Sequence, residues 1–116
     1  MNAVDRIFGF LLVLGALLHG LGSYHIYHDQ PMTMLWAWSG SFAMLLLAAM
    51  NLMRVSRPGD RGLAWVSLAG CLVWAAFSAG FGRLIGNLLD FRPLVNLVLS
   101  LVLAGFSLRS ALRAAA

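Results

Sequence analysis

The sequence predicts an all-α integral membrane protein, four antiparallel transmembrane helices in an up-down-up-down bundle. Three observations carry this. Of 116 residues, 61% are hydrophobic and 10% charged, with a mean hydropathy of +0.86, too little polar surface to cover a domain in water. The apolar residues fall into four stretches, at 7–24, 34–53, 62–82 and 93–108, each near the length a helix needs to cross a bilayer. The breaks between them are short, so consecutive helices are expected to lie adjacent and antiparallel. The whole of 1–116 is read as one four-helix domain.

The first stretch starts after Asp5 and Arg6 and ends near Gly20, Gly22 and Ser23. It is longer than a usual signal-peptide core and its charged start is weak, so it is read as a retained helix. Lipid attachment is not expected either: residue 2 is Asn, and the final residues, from Arg113 on, contain no cysteine. The second stretch follows a polar break holding His25, His28 and Asp29, and opens with Trp36 and Trp38, which suit an interfacial aromatic belt. Between the second and third, Arg54-Val-Ser-Arg57-Pro-Gly-Asp-Arg61 reads as a tight turn, with Asp60 capping the next helix. The third stretch is expected to continue as helix past Arg83, or to be followed by a short interfacial helix, because Arg83, Asn87 and Asp90 recur at helical spacing. The fourth is the shortest, reaching roughly 24 Å at 1.5 Å per residue, so Arg92 and Arg109 are expected to reach the two headgroup layers.

All eight basic residues are arginine, and the net charge is +4. In a soluble chain that balance would suggest nucleic acid. Here the arginines cluster at helix ends, which points to membrane orientation and anionic lipid instead. With an inside N-terminus, Arg6, Arg54, Arg57, Arg61, Arg109 and Arg113 fall on one side and Arg83 and Arg92 on the other. The positive-inside rule therefore puts both termini in the cytoplasm, and the membrane is taken as a bacterial inner membrane. The lone Cys71 excludes a disulfide framework within one chain. There is no glutamate, which excludes a proton-coupled carrier built on that residue.

Small and polar residues form stripes for helix contact: Gly15, His19 and Gly22 on helix one, Ser41, Leu45, Ala48 and Leu52 on helix two, Ser67, Cys71, Trp74, Ser78 and Gly82 on helix three, Asn96 and Ser100 on helix four. Counted from the outer ends, His19, Ser41, Ser78 and Asn96 fall at one depth, one to two turns below the interface, and are expected to face the interior. His19 is the one ionisable side chain clearly inside the membrane, hence a functional-site candidate, with Asn96 or Ser78 as the expected partner and Arg83 and Asp90 above it. The competing reading is a neutral imidazole that merely ties helices together. At the outer surface, His25, His28 and Met32 have the imidazole and thioether chemistry that suits copper, although such residues also serve as ordinary interfacial and packing groups. Arg83, Asn87, Asp90 and Arg92 could bind an anionic headgroup or small anion at the outer face, but an Arg83 to Asp90 contact on a solvated rim is the favoured expectation.

The function favoured is that of a small non-enzymatic polytopic protein, an accessory or oligomerising subunit whose partners are membrane lipid and either further copies of itself or a larger membrane protein. One alternative is a small transporter or binding protein with an outward-facing pocket around His19. A second is a quinone- or haem-associated anchor, although all three histidines lie between positions 19 and 28, so one chain cannot offer bis-histidine haem ligation from facing helices. No motif identifies a cofactor. No nucleophile with a positioned base and no carboxylate pair can be assembled, so catalysis is not expected.

Overall fold

The computed structural model describes residues 2–115, which form α1 (Asn2–Tyr27), α2 (Pro31–Ser56), α3 (Arg61–Leu84) and α4 (Phe91–Ala115). Each helix is long and apolar enough to cross a membrane, and together they make an elongated four-helix bundle of 51 × 24 × 21 Å. Every helix outruns the apolar stretch that predicts it. Hydropathy marks only the residues that need hydrocarbon, whereas the backbone bonds continue until a cap or turn stops them. The correction is largest for α4, which is 25 residues long rather than the shortest element.

The turns explain where the helices stop. Pro31 starts α2, a place where its missing N–H costs nothing. Asp60 caps α3 as expected, its Oδ1 accepting from the Leu63 N–H at 2.9 Å. The predicted extension past Arg83 is corrected. Gly86 adopts φ 78°, and the amides of Gly86 and Asn87 donate back to the carbonyls of Arg83 and Gly82. That Schellman arrangement satisfies the last carbonyls and turns the chain away. Asp90 then caps α4, accepting from the Arg92 N–H at 3.0 Å.

Packing is uneven. α1 lies mainly against α2 and α3 mainly against α4, the two pairs meet less extensively, and among the described residues no Cα of α1 comes within 8 Å of one of α3. The core joins Leu12 and Ala16 of α1, Met44, Leu47 and Ala48 of α2, Cys71 of α3, and Leu99, Leu103 and Ala104 of α4. The stripe predicted on α3 is the buried one: Ser67, Cys71, Ser78 and Gly82 are enclosed and Trp74 is half-buried. On α1 the stripe is different. Its buried residues are Asp5, Gly9, Leu12, Ala16 and Ser23, and His19 is exposed. One residue turns a helix by about 100°, so a line through Asp5 and Gly9 displaces the line through Gly15 and His19. Gly9 sits against α2 so closely that a Cβ there would stand 2.7 Å from Leu52 Cδ2.

Candidate functional site

Polar side chains gather at two depths. The layer predicted from the sequence lies toward the Tyr27–Pro31 end of the bundle and resolves into two separate pairs. His19 Nδ1 and Ser41 Oγ are 2.7 Å apart, joining α1 to α2. Trp74 Nε1 donates to Asn96 Oδ1 at 3.3 Å, joining α3 to α4. The expected partners of His19 are thus engaged elsewhere: Asn96 also donates to the Arg92 carbonyl, and the Ser78 hydroxyl bonds back to the Trp74 carbonyl. Between the pairs stands Gly40, where a Cβ would lie 3.7 Å from His19 Cε1 and 3.9 Å from Trp74 Cη2. His19 Nε2 has no hydrogen-bond partner among the described residues.

The histidine and methionine group at the same end is spread over the surface. His25, His28 and Met32 are all exposed, and His28 Nδ1 is held 3.2 Å from the His25 carbonyl. The Tyr24 ring lies 6.3 Å from one imidazole and 6.1 Å from the other. Among the described residues no three His, Cys, Asp or Glu side chains are grouped to hold a metal ion. The expected Arg83–Asp90 contact is also corrected. Asp90 pairs instead with Arg92, at 3.1 Å, because the turn at Gly86 delivers Asp90 to the start of α4. Hydrogen bonds from the Arg92 side chain and backbone hold the Asp90 carboxyl below the usual carboxylate range.

The second depth, at the opposite end, holds a cluster that sequence reasoning missed. Arg54, 1% exposed, donates through both terminal nitrogens to the two oxygens of Asp5, each at 2.7 Å. The same guanidinium donates to Ser110 Oγ and Asn51 Oδ1, both at 3.0 Å. Asn51 Oδ1 also accepts from the Ser107 hydroxyl, and its amide reaches the Leu47 carbonyl and Cys71 Sγ. Four helices are thereby joined through one buried ion pair. Such a pair is tolerated because its charges are mutually satisfied and further hydrogen-bonded. Two enclosed polar atoms, Arg54 Nε and Ser67 Oγ, lack a protein partner among the described residues.

The sequence held a signal for this cluster. His19 and Ser41 stand almost equally far from the turn that joins α1 to α2, and so do Asp5 and Arg54. Asn51 and Arg54, three apart, share a helix face with Ala48. Counting Arg54 with the headgroup arginines concealed it.

Along the outer flank of α1 and α2 runs a groove of about 430 Å³, lined among others by Ala16, Gly20, Leu21, Trp38, Phe42 and Leu45. Tyr24 and Ser41 bring hydroxyls to its lining, and that of Ser41 is held by His19. Trp38 closes one wall by donating its indole N–H to the Gly20 carbonyl at 3.1 Å. No protein-family model matches this chain, and neither a curated protein nor a solved structure matches it, so any functional reading rests on these side chains and surfaces.

Proposed function

We propose that this chain is a non-enzymatic membrane subunit, accessory to or oligomerising within a membrane complex, and that the groove between α1 and α2 receives a transmembrane helix of another chain. The groove is the observation that carries the reading. It follows α1 from Ala16 to Tyr24, about 12 Å at 1.5 Å per residue, which suits two turns of a partner helix. Its lining is mainly apolar, the Ser41 hydroxyl is already bonded to His19, and Gly20 provides the kind of small residue that lets helices approach closely in lipid. The buried Asp5, Asn51 and Arg54 are spent on tying the protein's own helices together.

In this reading the helices run antiparallel, up-down-up-down, across a bacterial inner membrane with both termini in the cytoplasm. Arg6, Arg57, Arg61, Arg109 and Arg113 would then face the cytoplasm against Arg83 and Arg92 outside. Arg54 no longer counts, being neutralised by Asp5. Native mass spectrometry of the gently extracted protein tests the subunit reading. A second copy or a different polypeptide is expected in the wild type and lost in Gly20→Leu, which fills the groove from its floor; a monomer in both rejects it.

A second reading, a small transporter or binding protein centred on His19, is favoured by the exposed imidazole whose Nε2 is unoccupied among the described residues. A polar side chain at that depth needs a partner. A small molecule retained by the wild type and lost in His19→Ala would select this reading over the first.

A further inference from the structure

Behind the buried ion pair, the surface opens into a small polar crevice lined by Asn2, Asp5, Phe106, Arg109, Ser110 and Arg113. Its volume of about 40 Å³ holds a small anion and little else. Arg109 and Arg113 are four residues apart on α4, so their guanidinia rise from one face. Neither is paired with a carboxylate among the described residues. The Asp5 carboxylate does line the crevice, but both its oxygens are taken by Arg54. Among the described residues, one carboxylate against the three guanidinia of Arg54, Arg109 and Arg113 leaves two positive charges at the site. Ser110 accepts from Arg54, and its own hydroxyl proton has no acceptor among the described residues, so it is free to be donated outward.

We propose that this crevice binds the phosphodiester of an anionic phospholipid, with Arg109 and Arg113 as the cationic clamp and the Ser110 hydroxyl as a neutral donor. Two guanidinia and a hydroxyl match the oxygens of a phosphate. The crevice lies at the ends of helices long and apolar enough to cross a membrane, the level at which lipid phosphates stand. A built site differs from the general attraction of basic residues to an anionic surface. Arg57 and Arg61, which flank the turn between α2 and α3, provide the internal comparison, because they belong to the same end of the bundle but not to the crevice. The inference is independent of whether the α1/α2 groove holds a partner.

The test is lipid retention by the purified full chain in neutral detergent, titrated with phosphatidylglycerol and with phosphatidylcholine and read by native mass spectrometry. Wild type is expected to prefer phosphatidylglycerol, and the Arg109→Gln, Arg113→Gln double variant to lose about tenfold or more of that preference, from the contribution of two arginines near an anionic surface. The Arg57→Gln, Arg61→Gln variant is expected to keep it. Unchanged thermal unfolding of both variants in lipid-free detergent confirms that the loss is one of binding. An equal loss in the two double variants, or no preference in wild type, overturns the site. Displacement of the lipid by millimolar inorganic phosphate overturns the lipid as its source and makes the occupant a soluble anion.

Discussion

The two ends of the bundle are held by different means. At the end that carries Asp5, one guanidinium and one amide connect all four helices through largely buried hydrogen bonds. At the end that carries His19, every interhelical side-chain bond stays within a pair: His19 to Ser41 and Trp38 to Gly20 between α1 and α2, Trp74 to Asn96 between α3 and α4. The α1/α2 pair and the α3/α4 pair are therefore locked together at one end and merely packed at the other. Polar bonds specify which helices meet, and in lipid, where apolar contact discriminates weakly, they decide where the structure is free to adjust. The end held only pairwise also bears the groove and the exposed imidazole.

Breaking the locked end gives the largest effect. Asp5→Ala strands a buried guanidinium and is expected to cost about 3–5 kcal/mol, seen as a large fall in the thermal midpoint in detergent. The Asp5→Leu, Arg54→Leu double variant is expected to recover most of that loss, since no charge remains unpaired. If the single and double variants fall equally, the pair is not what connects the helices there. At the other end, Ser41→Ala removes one interhelical bond and is expected to cost only about 0.5–1 kcal/mol, with the α3/α4 pair unaffected in hydrogen exchange. An effect as large as that of Asp5→Ala would erase the contrast between the ends.

The smallest effect concerns the exposed turn before α4. Because Arg92 lowers the Asp90 carboxyl below its usual value, the stabilisation it contributes is fully present above the ordinary carboxylate range and disappears as pH falls through the depressed value. Protection from hydrogen exchange at the start of α4, taken relative to the intrinsic rate at each pH, should therefore be independent of pH near neutrality and fall only in acid, below the ordinary carboxylate range. Asp90→Asn should remove that acid dependence. Persistence of the dependence in Asp90→Asn would assign it to another group.

Helix number and the α3 stripe were legible because they depend on hydropathy and on 3.6-residue periodicity, which local sequence carries. The turn after Arg83 was misjudged because the positive φ of one glycine, Gly86, outweighs helical spacing over several neighbours. The depth of His19 and Ser41 was also legible, since depth follows from counting along each helix. Which face His19 presents was not. Rotation is fixed by contacts far along the chain, above all by Asp5 turning toward Arg54, and such a constraint cannot be read until the partner is known. Arg54 itself was hidden by company: an arginine beside Arg57 and Arg61 looks like one more headgroup residue, and only Asn51 one turn earlier marks it as different.

The Asp5–Arg54 pair also bears on how the protein is made. Acid and base are 49 residues apart and both belong to the first two helices, so the growing chain has its carboxylate in place before the guanidinium is synthesised. The first half of the protein can neutralise its own buried charge before α3 exists. Ser107 and Ser110, toward the far end of α4, are synthesised last; Ser110 accepts a further hydrogen bond from Arg54, and Ser107 donates one to Asn51. Division of the chain at the turn between α2 and α3 would accordingly leave neither half with an unpaired ion from this cluster.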